Sequence, residues 1–197
     1  MRIRAPLTAL LLAVIGVVFA LDTLLGGGSH PLLAWGADSA RAVAAGQWWR
    51  LVTSLFLHIG LVHLAVNGWA LYQLGTLFEI WLGSVRLAVV FFAAGIAGSL
   101  TSLVFTLAAT DGISAGASGA IFGILRALIS FLALRRNSLH PEAKSLLFQL
   151  LLWAAINVYL SFTVTVIDNT AHLGSFATGL VLGLVLRERA VFRRVQS

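Results

Sequence analysis

Six stretches of this chain are apolar over about the 20 residues that an α-helix needs to cross a bilayer. They run approximately over residues 5–25, 55–80, 86–108, 116–134, 145–166 and 172–186. In hydrocarbon every backbone N–H and C=O must be satisfied within the protein, so spanning segments become helices or closed barrels. Apolar runs of this length read as helices. The composition agrees, with 59% of the 197 residues hydrophobic and 10% charged, against about a quarter charged in a soluble domain. The expected architecture is an all-α integral membrane protein, a single domain of six transmembrane helices.

The first stretch follows Arg2 and Arg4. It is long for the apolar core of a signal peptide, and no clear small-residue cleavage site follows it, so it reads as the first span. If the spans alternate, Arg2, Arg4, Arg86, Arg135, Arg136, Lys144, Arg187, Arg189, Arg193 and Arg194 share one side, with Arg41 and Arg50 opposite. Ten basic residues against two place both termini in the cytoplasm. The net charge of +6 therefore flanks apolar segments instead of forming one basic face, which argues against a nucleic-acid partner. The absence of cysteine excludes disulfide and thiolate chemistry. The long loop 26–54 falls outside the cell, and its Gln47-Trp48-Trp49-Arg50 cluster reads as an interfacial anchor.

This topology brings several polar residues to one depth. Ser118, in Gly116-Ala117-Ser118-Gly119, begins the fourth span from the outside, and His172 begins the sixth. His63 and Asn67 lie on the second span, roughly 10–15 Å below its outer end. Charge bias alone set these orientations, so the agreement in depth is independent support. His63 and Asn67 are four apart and share a helix face. On a continuous helix His58 would lie about 140° from His63, on another face. The fourth and sixth spans also carry small residues every fourth position: Gly119, Gly123 and Ala127 on one, Ser175, Gly179 and Gly183 on the other. Such faces let membrane helices approach closely.

Residue types then suggest chemistry. A serine hydroxyl becomes a nucleophile when a base removes its proton, and histidine is the common base. Asn67, His63 and the free backbone N–H of Ser118 could stabilise an oxyanion. Asp168, four residues before His172, is the one nearby carboxylate and reads as part of the outer loop, so the pattern is a Ser–His dyad. Helix–helix hydrogen bonding is the plain alternative for His63 and Asn67, and a helix-start serine is common in itself. The short glycine motif is not the nucleophile elbow of α/β-hydrolases. His58, His63 and His172 lack the spacing of a zinc site, so no metal or other cofactor is expected.

Taken together, these residues resemble the rhomboid family of intramembrane serine proteases. The resemblance covers roughly Trp48 to Gly183. It is carried by Trp49-Arg50, by His58, His63 and Asn67 in order, by Glu79, by Gly116-Ala117-Ser118-Gly119-Ala120-Ile121-Phe122-Gly123, and by Asp168-Asn169-Thr170-Ala171-His172-Leu173-Gly174. It implies a six-helix core and peptide-bond hydrolysis through an acyl-enzyme. Ser118 would be nucleophile, His172 general base and acid, and His63 and Asn67 oxyanion stabilisers. Gly116, Gly119, Phe122 and His58 would support them, with Phe122 packed on His172 and His58 bracing the outer loop. Implied substrates are transmembrane proteins of the same bilayer, a bacterial cell membrane, with access between the second and fifth spans. The alternative is a catalytically inactive relative that binds transmembrane segments. A small transporter is disfavoured, because the polar residues collect in the outer half. Two positions depart from the family's usual glycine, Ser175 and Arg126. An unpaired arginine at this depth costs about 3 kcal/mol or more, so Arg126 is expected to reach toward the cytoplasmic side and pair with Glu79, with snorkelling without a partner as the alternative.

Overall fold

The computed structural model describes residues 5–26, 29–106, 112–163 and 169–186. Arg2, Arg4, the Gly27-Gly28 turn, Asp168 and the basic tail from Arg187 lie outside them. The described residues are helical, apart from connections and one isolated bridge between Asp38 and Ser114. In chain order the helices are α1 (Pro6–Gly26), α2 (Pro31–Gly36), α3 (Ala40–Ala44), α4 (Arg50–Thr53), α5 (Leu61–Leu82), α6 (Ser84–Thr106), α7 (Ser118–Leu134), α8 (Pro141–Thr163) and α9 (Asn169–Val185). By length and composition α1 and Ser84–Phe105 could each cross a bilayer. Arg50–Phe56 with Leu61–Leu82 adds a third candidate if that pair, bent by 92°, is one span.

The long helices α1, α5, α6, α7, α8 and α9 fall on the apolar stretches with shifted ends. The largest shift concerns α5. Its apolar stretch opens near residue 55, but the helix starts at Leu61, because Gly60 at φ 84° takes a conformation that breaks a helix and that glycine adopts without penalty. Pro141 opens α8, where its missing N–H needs no partner.

Helix α7 is the centre of the molecule, ringed by α5, α6, α8 and α9. Every residue from Gly119 to Leu132 is buried except Phe122 and Arg126. Close approach by α9 and α6 makes this possible, and the atoms that would clash show how tight it is. A Cβ on Gly179 would overlap the carbonyl of Gly123, and one on Gly123 would overlap Ala94 Cβ. A Cβ on Gly119 would stand 2.8 Å from Ser175 Oγ. The small-residue faces expected on α7 and α9 thus meet, and α6 joins them through Ala94 and Gly98, which the sequence reading did not anticipate. Ser175 is fully buried, and its hydroxyl oxygen lies 2.9 Å from both the Ala94 and the Ala171 carbonyls, which share its single proton. It thereby supplies a cross-helix hydrogen bond.

At the end of the bundle remote from Ser118, Glu79 is buried, with 2% of its surface exposed. Its carboxylate accepts from the backbone N–H groups of Leu7 and Thr8 at 2.9 and 2.8 Å, from Thr8 Oγ1 at 2.7 Å and from Ser84 Oγ at 2.6 Å. It caps the first turn of α1, where orphan N–H groups and the helix dipole favour an anion. The expected Glu79–Arg126 pair is therefore not formed. Glu79 has its oxygens satisfied by α1 and α6, and Arg126 stacks its guanidinium over Phe176 of α9, 4.6 Å from the ring centroid.

The segment between α1 and α5 is knitted from inside. Arg50 is 9% exposed and donates to Gln47 Oε1 at 2.7 Å, the Ala37 carbonyl at 2.7 Å and the Ala34 carbonyl at 3.1 Å. This corrects its reading as an interfacial anchor. Trp48 and Trp49 keep exposed surface as that reading required, but Arg50 satisfies the carbonyls of α2 and its end. Asp22, buried on α1, accepts from Leu32 N–H and pairs with His30 at 2.9 Å.

The seam gives a direct expectation. Gly179→Ala should destabilise the protein in detergent by about 2–3 kcal/mol, the cost of overpacking against an unyielding backbone. Gly16→Ala on α1, where nothing lies within 4 Å, should be neutral or stabilising by up to about 1 kcal/mol. Thermal unfolding of both variants checks the contrast.

Candidate active site

The seam brings the fourth and sixth apolar helices together at their first turns. His172 Nε2 lies 3.3 Å from Ser118 Oγ, long for a hydrogen bond of this type and of the kind that tightens when a ligand binds. Phe122, one turn below Ser118, stacks on the His172 ring with centroids 4.1 Å apart and planes inclined by 18°. This fixes the plane of the imidazole. Asp168 lies outside the described residues, so the geometry bears on the pair alone.

Ser118 is the first residue of α7, with Ala117 at the N-cap. The helix's ladder starts from Ile121 N–H on the Ala117 carbonyl, so Ser118 N–H belongs to the orphan donors of the first turn. The approach to this turn is held at two points. Gly116 N–H donates to the Ser54 carbonyl at 2.9 Å, and the Asp38–Ser114 bridge ties the same strand of chain to the outer segment.

His63 stands on the other side of Gly116. A Cβ on Gly116 would lie 2.7 Å from His63 Cε1 and 2.8 Å from Nε2. Gly116 also has φ 128°, a conformation reserved for glycine. Two constraints thus require glycine here. His63 Nδ1 accepts from Ile59 N–H at 3.3 Å, which in the neutral ring leaves the proton on Nε2, the nitrogen beside Gly116. Asn67 is buried, and its Nδ2 donates to the His63 carbonyl at 3.0 Å, leaving a second amide hydrogen.

His58 departs from expectation. Its ring lies 5.1 Å from that of His63, inclined by 57°, so the two do not point apart. The 140° separation assumed a helix through both, and residues 57–60 are not helical. His58 is 3% exposed, and neither ring nitrogen has a hydrogen-bond partner among the described residues. Its ring is buried beside that of His63.

Behind Ser118 a small cavity has about 20 Å³ of room for water, lined in part by Ser54, Ser99, Ser114 and Gly116. That is enough for about one molecule. Ser54 and Ser99 carried no signal in the sequence. Ser54 lies in a 3₁₀ turn and Ser99 in mid-helix, where serines are ordinary.

Helices packed through glycine, with a serine, two histidines and an asparagine gathered at one end, define a class, and the chain belongs to the rhomboid family. The family model for the Rhomboid domain matches residues 45–189. The chain is 38% identical over 185 residues to the protein named rhomboid protease GluP of Bacillus subtilis, covering 93% of this chain and 35% of that one. It is 35% identical over 173 residues to RHOMBOID-like protein 7 of Arabidopsis thaliana, covering 85% of this chain and 52% of that one. It is 29% identical over 184 residues to the putative rhomboid protease YdcA of Bacillus subtilis, covering 91% and 88%. The chain thus spans between about a third and a half of the first two relatives and most of the third.

The buried hydroxyl of Ser175, one turn below His172, can be tested by stability. Ser175→Ala should cost about 0.6–1.7 kcal/mol, the range of cross-helix hydrogen bonds in membranes. Gly98→Ala should cost more, since its Cβ would overlap Ser175 Oγ and stand 2.8 Å from the Ala171 carbonyl. Denaturant titration in mixed micelles measures both.

Proposed function

We propose that this chain is an intramembrane serine endopeptidase that cleaves peptide bonds in or near the transmembrane segments of membrane proteins. The observation that carries the reading is Ser118 Oγ within 3.3 Å of His172 Nε2, at a first helical turn and with His63 Nε2 beside Gly116, two residues before Ser118. In this reading the long helices are six spans with both termini in the cytoplasm, and the protein resides in the cell membrane. Helix α7 has 17 residues, about 26 Å of rise, short of the roughly 30 Å hydrocarbon core. If the shortfall lies at its first turn, Ser118 sits below the outer surface, in reach of water from outside.

The chemistry follows from the positions. A substrate segment unwinds locally and presents a carbonyl to Ser118. His172 takes the hydroxyl proton as Oγ bonds to the carbonyl carbon. Negative charge moves to the carbonyl oxygen, where the Ser118 N–H, the Nε2–H of His63 and the spare amide hydrogen of Asn67 would donate. The intermediate collapses by breaking the C–N bond, and His172 gives its proton to the leaving amine. The acyl-enzyme that remains is hydrolysed by a water that His172 deprotonates, releasing the carboxylic acid and restoring the Ser118 hydroxyl. The cavity behind Ser118 is suited to hold that water. Phe122 keeps the imidazole in plane through both proton transfers. No cofactor takes part.

Lateral access is assigned to the gap between α5 and α8. The edge-to-face pair Trp69–Trp153, with centroids 5.6 Å apart, lies between them. Tyr72 and Val66 on α5 and Leu152 and Ile156 on α8 keep exposed apolar surface toward lipid.

Purified protein incubated with a single-span substrate in proteoliposomes tests the reading. Ser118→Ala and His172→Ala should each reduce cleavage to background. Asn67→Ala should lower kcat by about 10²-fold, as loss of one oxyanion donor does. Cleavage undiminished in Ser118→Ala sinks the assignment.

A further inference from the structure

Arg126 makes no ion pair and no hydrogen bond among the described residues; its one contact of that kind is the stack on Phe176. Its Nε is buried without a partner. Such a cation in the middle of a membrane helix is costly, because neither lipid tails nor the Phe176 ring replaces a counter-ion. Its position gives a reason for it. On α7, Ser118, Phe122 and Arg126 are the residues from 118 to 132 that are not buried. They are spaced by four and form one stripe. On α9, His172 and Phe176 repeat the spacing and are likewise half-buried. The two helices thus present a ladder of two rungs, Phe122 on His172 and Arg126 on Phe176. The stripe that starts at the dyad ends on a guanidinium, eight residues lower, about 12 Å.

We propose that Arg126 is a specificity-determining residue that receives a carboxylate from the substrate's transmembrane segment. The inference rests on the protease reading above and adds to it the chemistry of the bound segment. A segment whose scissile carbonyl reaches Ser118 runs along the stripe, and its part about 12 Å deeper lies beside Arg126. The planar guanidinium, held flat on Phe176, presents its N–H fork to a carboxylate in bidentate geometry. An Asp or Glu there is itself expensive in hydrocarbon. Each charge supplies what the other lacks, so the pair forms on binding and favours substrates that carry the acid. In a helical segment the acid would stand roughly eight residues beyond the scissile bond. Glu79 does not compete, since its carboxylate is bound by α1 and Ser84.

The test uses single-span peptides differing only by Glu, Gln or Lys at one position, stepped one residue at a time through the half of the segment beyond the scissile bond. Their affinity for full-length Ser118→Ala protein in zwitterionic vesicles is measured by fluorescence transfer, and cleavage by the unmodified protein is followed in parallel. At the position level with Arg126 the Glu peptide should bind about tenfold tighter than the Gln peptide. In a Ser118→Ala/Arg126→Gln protein the ratio should fall to about one, and in Ser118→Ala/Arg126→Glu the preference should pass to a Lys peptide. Equal affinities at every position, or a Glu preference that survives Arg126→Gln, overturn the proposal. The Glu/Gln comparison in the protein with Arg126 intact remains decisive if an Arg126 variant does not fold. A binding preference without any cleavage by the unmodified protein would overturn the protease reading and leave the carboxylate site standing.

Discussion

The structure depends on one contact, the passage of α9 across α7 with backbone against backbone. At Gly123 and Gly179 there is no room for a methyl group between the helices. In a bilayer apolar side chains gain nothing by leaving lipid for one another, so helix association relies on close packing and on cross-helix hydrogen bonds. This seam has both. Glycine and alanine supply the proximity, and Ser175 adds a hydroxyl bonded to the α6 backbone. Because both helices start at the same end, the seam also determines what meets there: Ser118, Phe122 and His172. A wider crossing would leave a serine and a histidine at one depth without hydrogen-bonding reach.

Charge is handled by the same economy of partners. Among the described residues Glu79, Arg50 and Asp22 are buried charged groups with local partners. Glu79 is placed at the N-terminus of α1, so one carboxylate fixes three helices. Arg50 satisfies carbonyls that end α2 and the chain beyond it. Asp22 holds the chain that leaves α1. Arg126 is the exception, paired with a ring and no anion, and it lies on the open stripe that leads from the candidate dyad. Glu79, Arg50 and Asp22 are tied to the backbone around them, and Arg126, among the described residues, is stacked on Phe176 alone.

Much of this was legible in the sequence, for physical reasons. Continuous apolar runs mark helices because the bilayer leaves a chain few other options, and the four-residue spacing of Gly119, Gly123, Gly179 and Gly183 shows which faces meet. The expected proximity of Ser118 and His172 rests on topology, since loop charges predict the direction of each helix and direction predicts depth. What was not legible depended on local breaks and on choices among partners. His58 lies beside His63 and not on another face, because the chain is not helical before Gly60, and an apolar run gives no sign of that. Glu79 and Arg126 are both charges in the lower bundle, which favours pairing them on sequence alone; the orphan N–H groups at the start of α1, invisible in side-chain chemistry, are the partner that Glu79 takes. Arg50 beside two tryptophans looks interfacial until the carbonyls of the folded loop are in place around it. Ser54 and Ser99, which line the cavity behind Ser118, are unremarkable in a sequence and gain meaning from their neighbours.

The central claim is that the seam turns Ser118 into a nucleophile by placing it against His172. Intact-mass and peptide-mapping spectrometry after exposure to a fluorophosphonate measures this directly, because the reagent reacts with an activated serine. The account predicts a single adduct on Ser118, formed in the native protein and lost in His172→Ala while that variant keeps its thermal stability. An adduct on another serine, or labelling of Ser118 at an unchanged rate without His172, would contradict it.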